Sequence, residues 1–436
     1  MTGTDRPWVV EFEKRSLVIA FMAALDAFYA ATLILPGNWT NVVVRNSVLF
    51  TLAGFVAVQI AIFLNCVKRG TLPGIILHVR KVHFLQAGFQ LSFMFYWGLY
   101  WHPVFVNFYL IAIQVGFIYL FDSTLSWIQR GSFQLGFAQF PIICSINLFL
   151  WFFPDFFYAQ LVLIAAAIAA KAFITWQRDG RRTHIFNPTA LPLALAAILL
   201  LYLAPTEIAV GTDFPGSQEL GPHVLEVLFL LTLVINIWFP TVLITSSIVI
   251  TTIALDYLTT FLFGMPAYIV PISAPVFLGA VLLVTDPATS PITKCGRVLF
   301  GISYGVLVYL IPVLLFAMQL PFSAEKVLAV PIVNLLVPWF DLAGIRLSTW
   351  LVRPLGKATV VLQSRYFHIA VWIAFFVAAE GPLTAQTPAL LKPPKWLHYS
   401  IELVNAQIDV RNLCRSRSDI CQQFGLFKEL SYRLGE

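Results

Sequence analysis

The sequence predicts an all-α fold: a polytopic integral membrane bundle of about 12–13 transmembrane helices, ending in a short helical C-terminal tail. Three observations predict it. Of 436 residues, 59% are hydrophobic and only 11% charged, with a mean hydropathy of +0.84. A soluble domain carries roughly 45–50% apolar and about 25% charged residues, so this chain lacks the charge to coat a water-exposed surface. Apolar runs of the length a spanning helix needs, about 20 residues, recur from end to end. Basic residues collect in alternate gaps between those runs, as they do on the cytoplasmic side of a membrane. The same composition excludes a disordered chain, a collagen, a coiled coil and a disulfide-stapled secreted fold. Five cysteines supply no framework, and Cys66, Cys144 and Cys295 lie in or beside apolar runs.

The runs fall at 17–36, 47–66, 82–101, 103–121, 137–153, 156–176, 189–206, 224–239, 241–264, 268–285, 298–318, 327–343 and 366–380. Proline hairpins split several of them, as at Trp101-His102-Pro103 and Phe153-Pro154-Asp155. The first run follows Lys14 and Arg15 and continues past any Ala-x-Ala site, so it reads as a retained span and not a cleaved signal.

With the N-terminus inside, the even-numbered gaps are cytoplasmic. They hold Lys68, Arg69, Arg80 and Lys81, then Arg130, then Arg178, Arg181 and Arg182, then Lys294 and Arg297, then Arg346, Arg353, Lys357 and Arg365. Arg6, Lys14 and Arg15 precede the first run. The opposite loops hold only Arg45 and Lys326, and the loop from Glu207 to His223 is acidic. The net charge of +6 therefore reads as membrane topology and not as nucleic-acid binding. This places the chain in a cell inner membrane with its N-terminus cytoplasmic. Thirteen spans put the tail, 381–436, in the periplasm. The tail opens on a proline-rich stretch and breaks at Ser416–Asp419, where a helix N-cap is available. Cys414 and Cys421 flank the break, either as two thiols or, if the tail folds there, as a disulfide.

Two proline-marked helix starts stand out on the basic side, His184-Ile185-Phe186-Asn187-Pro188-Thr189-Ala190 and Thr285-Asp286-Pro287-Ala288-Thr289-Ser290-Pro291. Asn and Asp are favoured N-caps, and proline suits the first helical position because its missing N–H has no partner there. Capping is one reading. The other is a pair of positive helix ends aimed into a protein-lined cavity, where nearby arginines hold a phosphate or another anion.

Phe186-Asn187-Pro188-Thr189-Ala190, together with the run from Val276 to Ile311 that contains Thr285–Pro291, resembles the NqrB/RnfD family. These are membrane subunits of the sodium-pumping NADH:quinone oxidoreductase and of the Rnf electron-transport complex. The similarity continues through Val333-Asn334-Leu335-Leu336 and Phe340-Asp341, and is close to a little-characterised branch labelled enediyne-biosynthesis-like. It divides the chain into 1–180 (helices unmatched to characterised members), 181–345 (the family-like core), 346–380 (a loop and the last span) and 381–436 (the tail). The resemblance implies electron transfer through flavin or quinone, coupled to ion movement, in a complex with other redox or membrane subunits. The chain carries no nicotinamide site and no iron–sulfur cysteines, so the electron donor belongs to another polypeptide. Family members attach FMN to a threonine in a Ser-Gly-Ala-Thr loop, and Gly211-Thr212 is the nearest match here. Asn187, Thr212, Asp286 and Thr289 are the implied cofactor-binding positions, and no metal is expected.

Ionisable groups within the runs are the other source of function, because an unpaired charge in lipid is costly. Asp26 and Asp256 are the deepest acids. With Lys171 they are the candidate ion pathway, or else a structural set paired with one another or with Thr and Ser hydroxyls. His83, His102 and His368 lie near span ends, where a haem reading competes with plain interfacial histidines. Transporter and anchoring-subunit readings remain open beside electron transport.

Overall fold

In the computed structural model, which describes residues 8–12, 15–70, 74–178, 180–203, 217–218, 221–263, 272–318, 325–352 and 364–384, all thirteen apolar runs contain helix. The helices are α1 (Arg15–Ala31), α2 (Pro36–Thr40), α3 (Val42–Arg69), α4 (Lys81–Tyr100), α5 (Pro103–Asn107), α6 (Tyr109–Arg130), α7 (Gln139–Phe149) and α8 (Phe157–Phe173). They continue as α9 (Ala190–Leu203), α10 (Val224–Trp238), α11 (Val242–Phe263), α12 (Ala274–Leu278), α13 (Lys294–Ala317), α14 (Glu325–Leu335), α15 (Val337–Val352) and α16 (Arg365–Thr384). A π-helical turn, Gly279–Leu283, follows α12 directly.

Local signals explain the ends of the long helices. The Asn41 side chain accepts the N–H groups of Val43 and Val44 at 3.0 Å, capping α3. Lys68 and Arg69 close the same helix beside its negative end, and Gly70 stops it at φ 69°. Arg130 and Gly131, with φ 67°, end α6 in the same way.

The expected span count needs correction. Among the described residues six helices are long and apolar enough to cross a membrane: Leu17–Ile34, Val42–Arg69, Tyr109–Arg130, Pro154–Phe173, Val242–Leu262 and Lys294–Leu315. A seventh arises if α14 and α15, bent by 65° at their junction, count as one span. Hydropathy merges residues across breaks that the backbone does not bridge. α7 and α14 have 11 residues each, which at 1.5 Å per residue is about 16 Å, half the hydrocarbon core. α12 has 5 residues before the π turn. Chain that leaves helical geometry at such depth must be covered by protein, because lipid offers its backbone no hydrogen bonds.

The interior supplies that cover. The last residues of α7 and the chain beyond it are met by glutamines: Gln218 donates to the Leu148 carbonyl at 2.7 Å, and Gln160 donates to the Leu150 carbonyl at 3.3 Å while accepting the Phe152 N–H at 3.0 Å. Gln160 also reaches Asn147, which exchanges hydrogen bonds with Gln114 across α6 and α7. All three side chains belong to fully buried residues. The outer helices turn their apolar surface the other way. On α3 the Phe50 ring is 77% exposed, which suits lipid contact.

Five short strands among the described residues were not anticipated. β1 (Trp8–Phe12), β2 (Ile75–Val79) and β3 (Phe133–Gly136) form a sheet, β1 antiparallel and β3 parallel to β2. β4 (Thr175–Arg178) and β5 (Arg181–His184) form a hairpin. Each lies before a run or in an even-numbered gap, so the sheet ties the N-terminal segment to the gaps after α3 and α6. Cross-links through Arg178–Asp341, His184–Asp286, Arg297–Pro240 and Arg365–Trp238 gather the later even gaps. His83 lies within electrostatic reach of Arg80, Lys171 and Asp286, residues from three different gaps or run ends. Two odd gaps meet elsewhere, where Asn41 donates to Asp155 at 3.1 Å, and Ser217 of a third accepts from Trp97 of α4 at 3.1 Å.

One charge is misplaced by the alternation of Lys and Arg. Lys326, assigned above to an odd loop, is 4% exposed inside the bundle. A lone Lys at the edge of an apolar run reads as loop in sequence, and only packing shows it buried.

Candidate functional site

The β4–β5 hairpin delivers the chain to Asn187, and Asn187 starts α9. Its Oδ1 accepts the N–H groups of Thr189 at 2.9 Å and Ala190 at 3.0 Å, two donors that no earlier turn can satisfy. Its Nδ2 donates to the Leu283 carbonyl at 2.9 Å, where the π turn ends and leaves an acceptor open. Its own N–H is taken by Asn334 Oδ1 at 3.0 Å, and Asn334 Nδ2 donates to the Thr289 carbonyl at 3.2 Å. One asparagine on α14 therefore bridges the two proline-marked turns.

Asp286 organises the second turn. Its Oδ1 accepts the Ala288 N–H at 3.2 Å; its Oδ2 accepts the Thr289 hydroxyl at 3.2 Å and lies 3.0 Å from His184 Nε2. Burial by itself would raise the Asp286 carboxyl, but the His184 hydrogen bond and charge, with the Ala288 and Thr289 donors, hold it below the usual carboxylate range.

Asp341 on α15 secures the start of α13. Its Oδ1 accepts the N–H groups of Ile292 at 2.8 Å and Thr293 at 3.0 Å, and its Oδ2 takes Arg178 Nη2 at 2.6 Å. Arg178 also donates to the Ser290 carbonyl at 2.9 Å, and Arg297 to the Pro291 carbonyl at 2.9 Å. Helices α13 and α15 nearly touch here: a Cβ on Gly344 would lie 2.6 Å from the Gly296 backbone nitrogen.

Of the positions expected to bind a cofactor, the fold brings Asn187, Asp286 and Thr289 together and engages each with protein partners. Asn187 and Thr289 are 6% and 0% exposed. With both carboxylate oxygens of Asp286 and both ends of the Asn187 amide occupied, this seam does not fit a flavin phosphate; the capping reading describes Asn187. Thr212 and the pair Cys414 and Cys421 lie outside the described residues. Asp26 on α1 accepts from Gln59 of α3 at 3.3 Å. Asp256 on α11 is 8% exposed, and its carbonyl takes the Thr259 and Thr260 hydroxyls. These two acids sit on helices with different neighbours, α1 on α3 and α6, α11 on α13 and α16. Lys171, near the end of α8, lies within electrostatic reach of His83.

The ion pair Arg178–Asp341 and the Asn334 bridge were missed as site residues. A polar residue inside the apolar run Val327–Leu336 was the available signal for Asn334; nothing in the sequence pairs Arg178 with Asp341, 163 positions away.

Fold and seam define a multi-pass membrane protein whose interrupted helices meet in one buried polar lock. Residues 218–345 match the model of the NQR2, RnfD, RnfE family. The match includes Thr285–Pro291, Asn334 and Asp341 and begins after Asn187, so it is narrower than the resemblance read from 181 onward and covers less than half of the chain. No curated protein matches the sequence.

Proposed function

We propose that the chain is a membrane-embedded subunit of an electron-transport complex, linked to flavin or quinone chemistry and coupled to ion movement, in contact with other redox or membrane subunits. The observation that carries this reading is the family match over 218–345, which spans three of the four segments closing the polar lock. The role assigned to Asn187, Asp286, Thr289, Asn334 and Asp341 is scaffolding: they hold four helix ends at fixed spacing where lipid would leave them unsatisfied. In this reading the N-terminus and the basic end face the cytoplasm. Any redox group is held away from the lock, in the loop containing Thr212 or by a partner subunit.

The absorbance spectrum of the purified full-length protein, read together with protein-linked fluorescence on a denaturing gel, tests this. Flavin absorbance supports the reading, and fluorescence lost in Thr212→Ala places the flavin on that loop. Protein free of flavin that also copurifies with no redox subunit overturns it.

A further inference from the structure

The sheet β1–β2–β3 lies far from the lock. β1 precedes α1, β2 follows α3 and β3 follows α6, so it sits at one end of three membrane-crossing helices. One face is packed: Ile75 and Phe133, 4% and 1% exposed, meet Val18 of α1 and Trp127 of α6. The two edges differ. On β3, Ser126 Oγ accepts the Gln134 N–H at 3.1 Å and the Tyr119 hydroxyl donates to the Gly136 carbonyl at 2.8 Å, so α6 closes that edge. On β1, no hydrogen bond reaches the side away from β2 among the described residues. An open edge is a row of alternating N–H and C=O groups that templates another strand, and folds blunt it with lysine or proline. β1, Trp-Val-Val-Glu-Phe, has neither, and its Val9 and Val10 are 48% and 44% exposed.

The surroundings of that edge are positive. Lys68 and Arg69 at the end of α3, Arg80 and Lys81 after β2, and Arg130 at the end of α6 are all exposed. Glu11 is the one acid in the three strands. Arg80 follows Val79, the residue paired with Trp8 at the start of β1. Arg80, Arg130 and Glu11 all lie within electrostatic reach of His78, which pairs with Val9. These charges narrow the choice of occupant. A second copy would bring the same cations against this edge, and like charges brought together are costly. A phospholipid headgroup supplies negative charge but not the repeated donors and acceptors of a strand ladder. An extended peptide with acidic side chains supplies both: its backbone pairs with β1, and its carboxylates answer the cations.

We propose that the open edge of β1 docks an extended acidic segment of a partner protein, which joins the sheet as a fourth strand, with Arg80 as the nearest cation selecting its charge. The interface does not rest on electron transport, so a protein without flavin leaves it standing.

The test is amide hydrogen exchange of the full-length protein in phosphatidylcholine nanodiscs at neutral pH, read by mass spectrometry on the segment containing β1. The probe is a capped peptide of about seven residues alternating glutamate and valine, long enough to span β1; a lysine–valine peptide of the same length is the control. The expected result is that saturating acidic peptide slows the outward amides of 8–12 about tenfold or more, while the lysine peptide does not. In Arg80→Glu, the acidic peptide is expected to bind about fivefold more weakly. No protection by the acidic peptide overturns the proposal, and so does equal protection by both peptides. Protection that appears without peptide also overturns it: on adding phosphatidylglycerol the occupant is lipid, and on raising protein concentration it is a second copy. The wild-type exchange decides even if the variant fails to fold.

Discussion

Arg178 Nη2 donates to Asp341 Oδ2 at 2.6 Å and closes a loop of 163 residues, joining the β4–β5 hairpin to the start of α15. The two side chains are only 14% and 18% exposed. The same carboxylate caps the chain entering α13, so one group carries both a tertiary link and a helix start.

That double use predicts an asymmetry. Asp341→Ala strands the Arg178 charge and the N–H groups of Ile292 and Thr293, and is expected to destabilise the protein by about 3 kcal/mol. Arg178→Met leaves Asp341 with its backbone donors and should cost less. Thermal midpoints in one detergent compare the two; equal losses would contradict the capping role.

The contact between α11 and α13 depends on glycine. A Cβ on Gly301 would lie 2.6 Å from the Ile244 carbonyl oxygen and 2.8 Å from Ser247 Cβ, so Gly301→Ala has to push these helices apart. A loss of about 1–3 kcal/mol is expected, as for overpacking elsewhere. Gly54→Ala, on α3 with nothing within 4 Å of its Cβ, is the control; it should be neutral or stabilising by about 1 kcal/mol through helix propensity. Unfolding of the two variants in parallel measures the difference.

Asp286 gives a pH signature. Its carboxyl is held below the ordinary aspartate value of 3.8, so the native state binds this proton less readily than the unfolded chain. The resulting stability is fully present above about pH 4 and is lost as pH falls through the native value. Thermal midpoints from pH 6 down to pH 3 should therefore fall more steeply for the wild type than for Asp286→Asn. Parallel curves would show that Asp286 contributes nothing through its charge.

Much of the architecture was legible because lipid leaves the backbone few choices. Helix α3 announces itself by the apolar run 47–66, with Lys68 and Arg69 just beyond that run. The strands were not legible. Ile75–Val79 is a short β-branched run, but its partners Trp8–Phe12 and Phe133–Gly136 become neighbours only after α1, α3, α4 and α6 have packed. Lys326 shows the converse failure: a charge beside an apolar run looks like a loop residue until Tyr304 and Gly279 are placed against it.

By itself the sequence determined that this chain enters a membrane as a helical bundle and where its apolar runs lie. Hydropathy, capping residues and charge are local quantities, and each is read within a few positions. Tertiary structure alone decided which helices are interrupted, that Asn187, Asp286, Asn334 and Asp341 close one seam, and that Glu325 and Lys326 are buried together. Those outcomes depend on which orphaned backbone groups meet which side chains across more than a hundred residues, and no local pattern encodes that pairing.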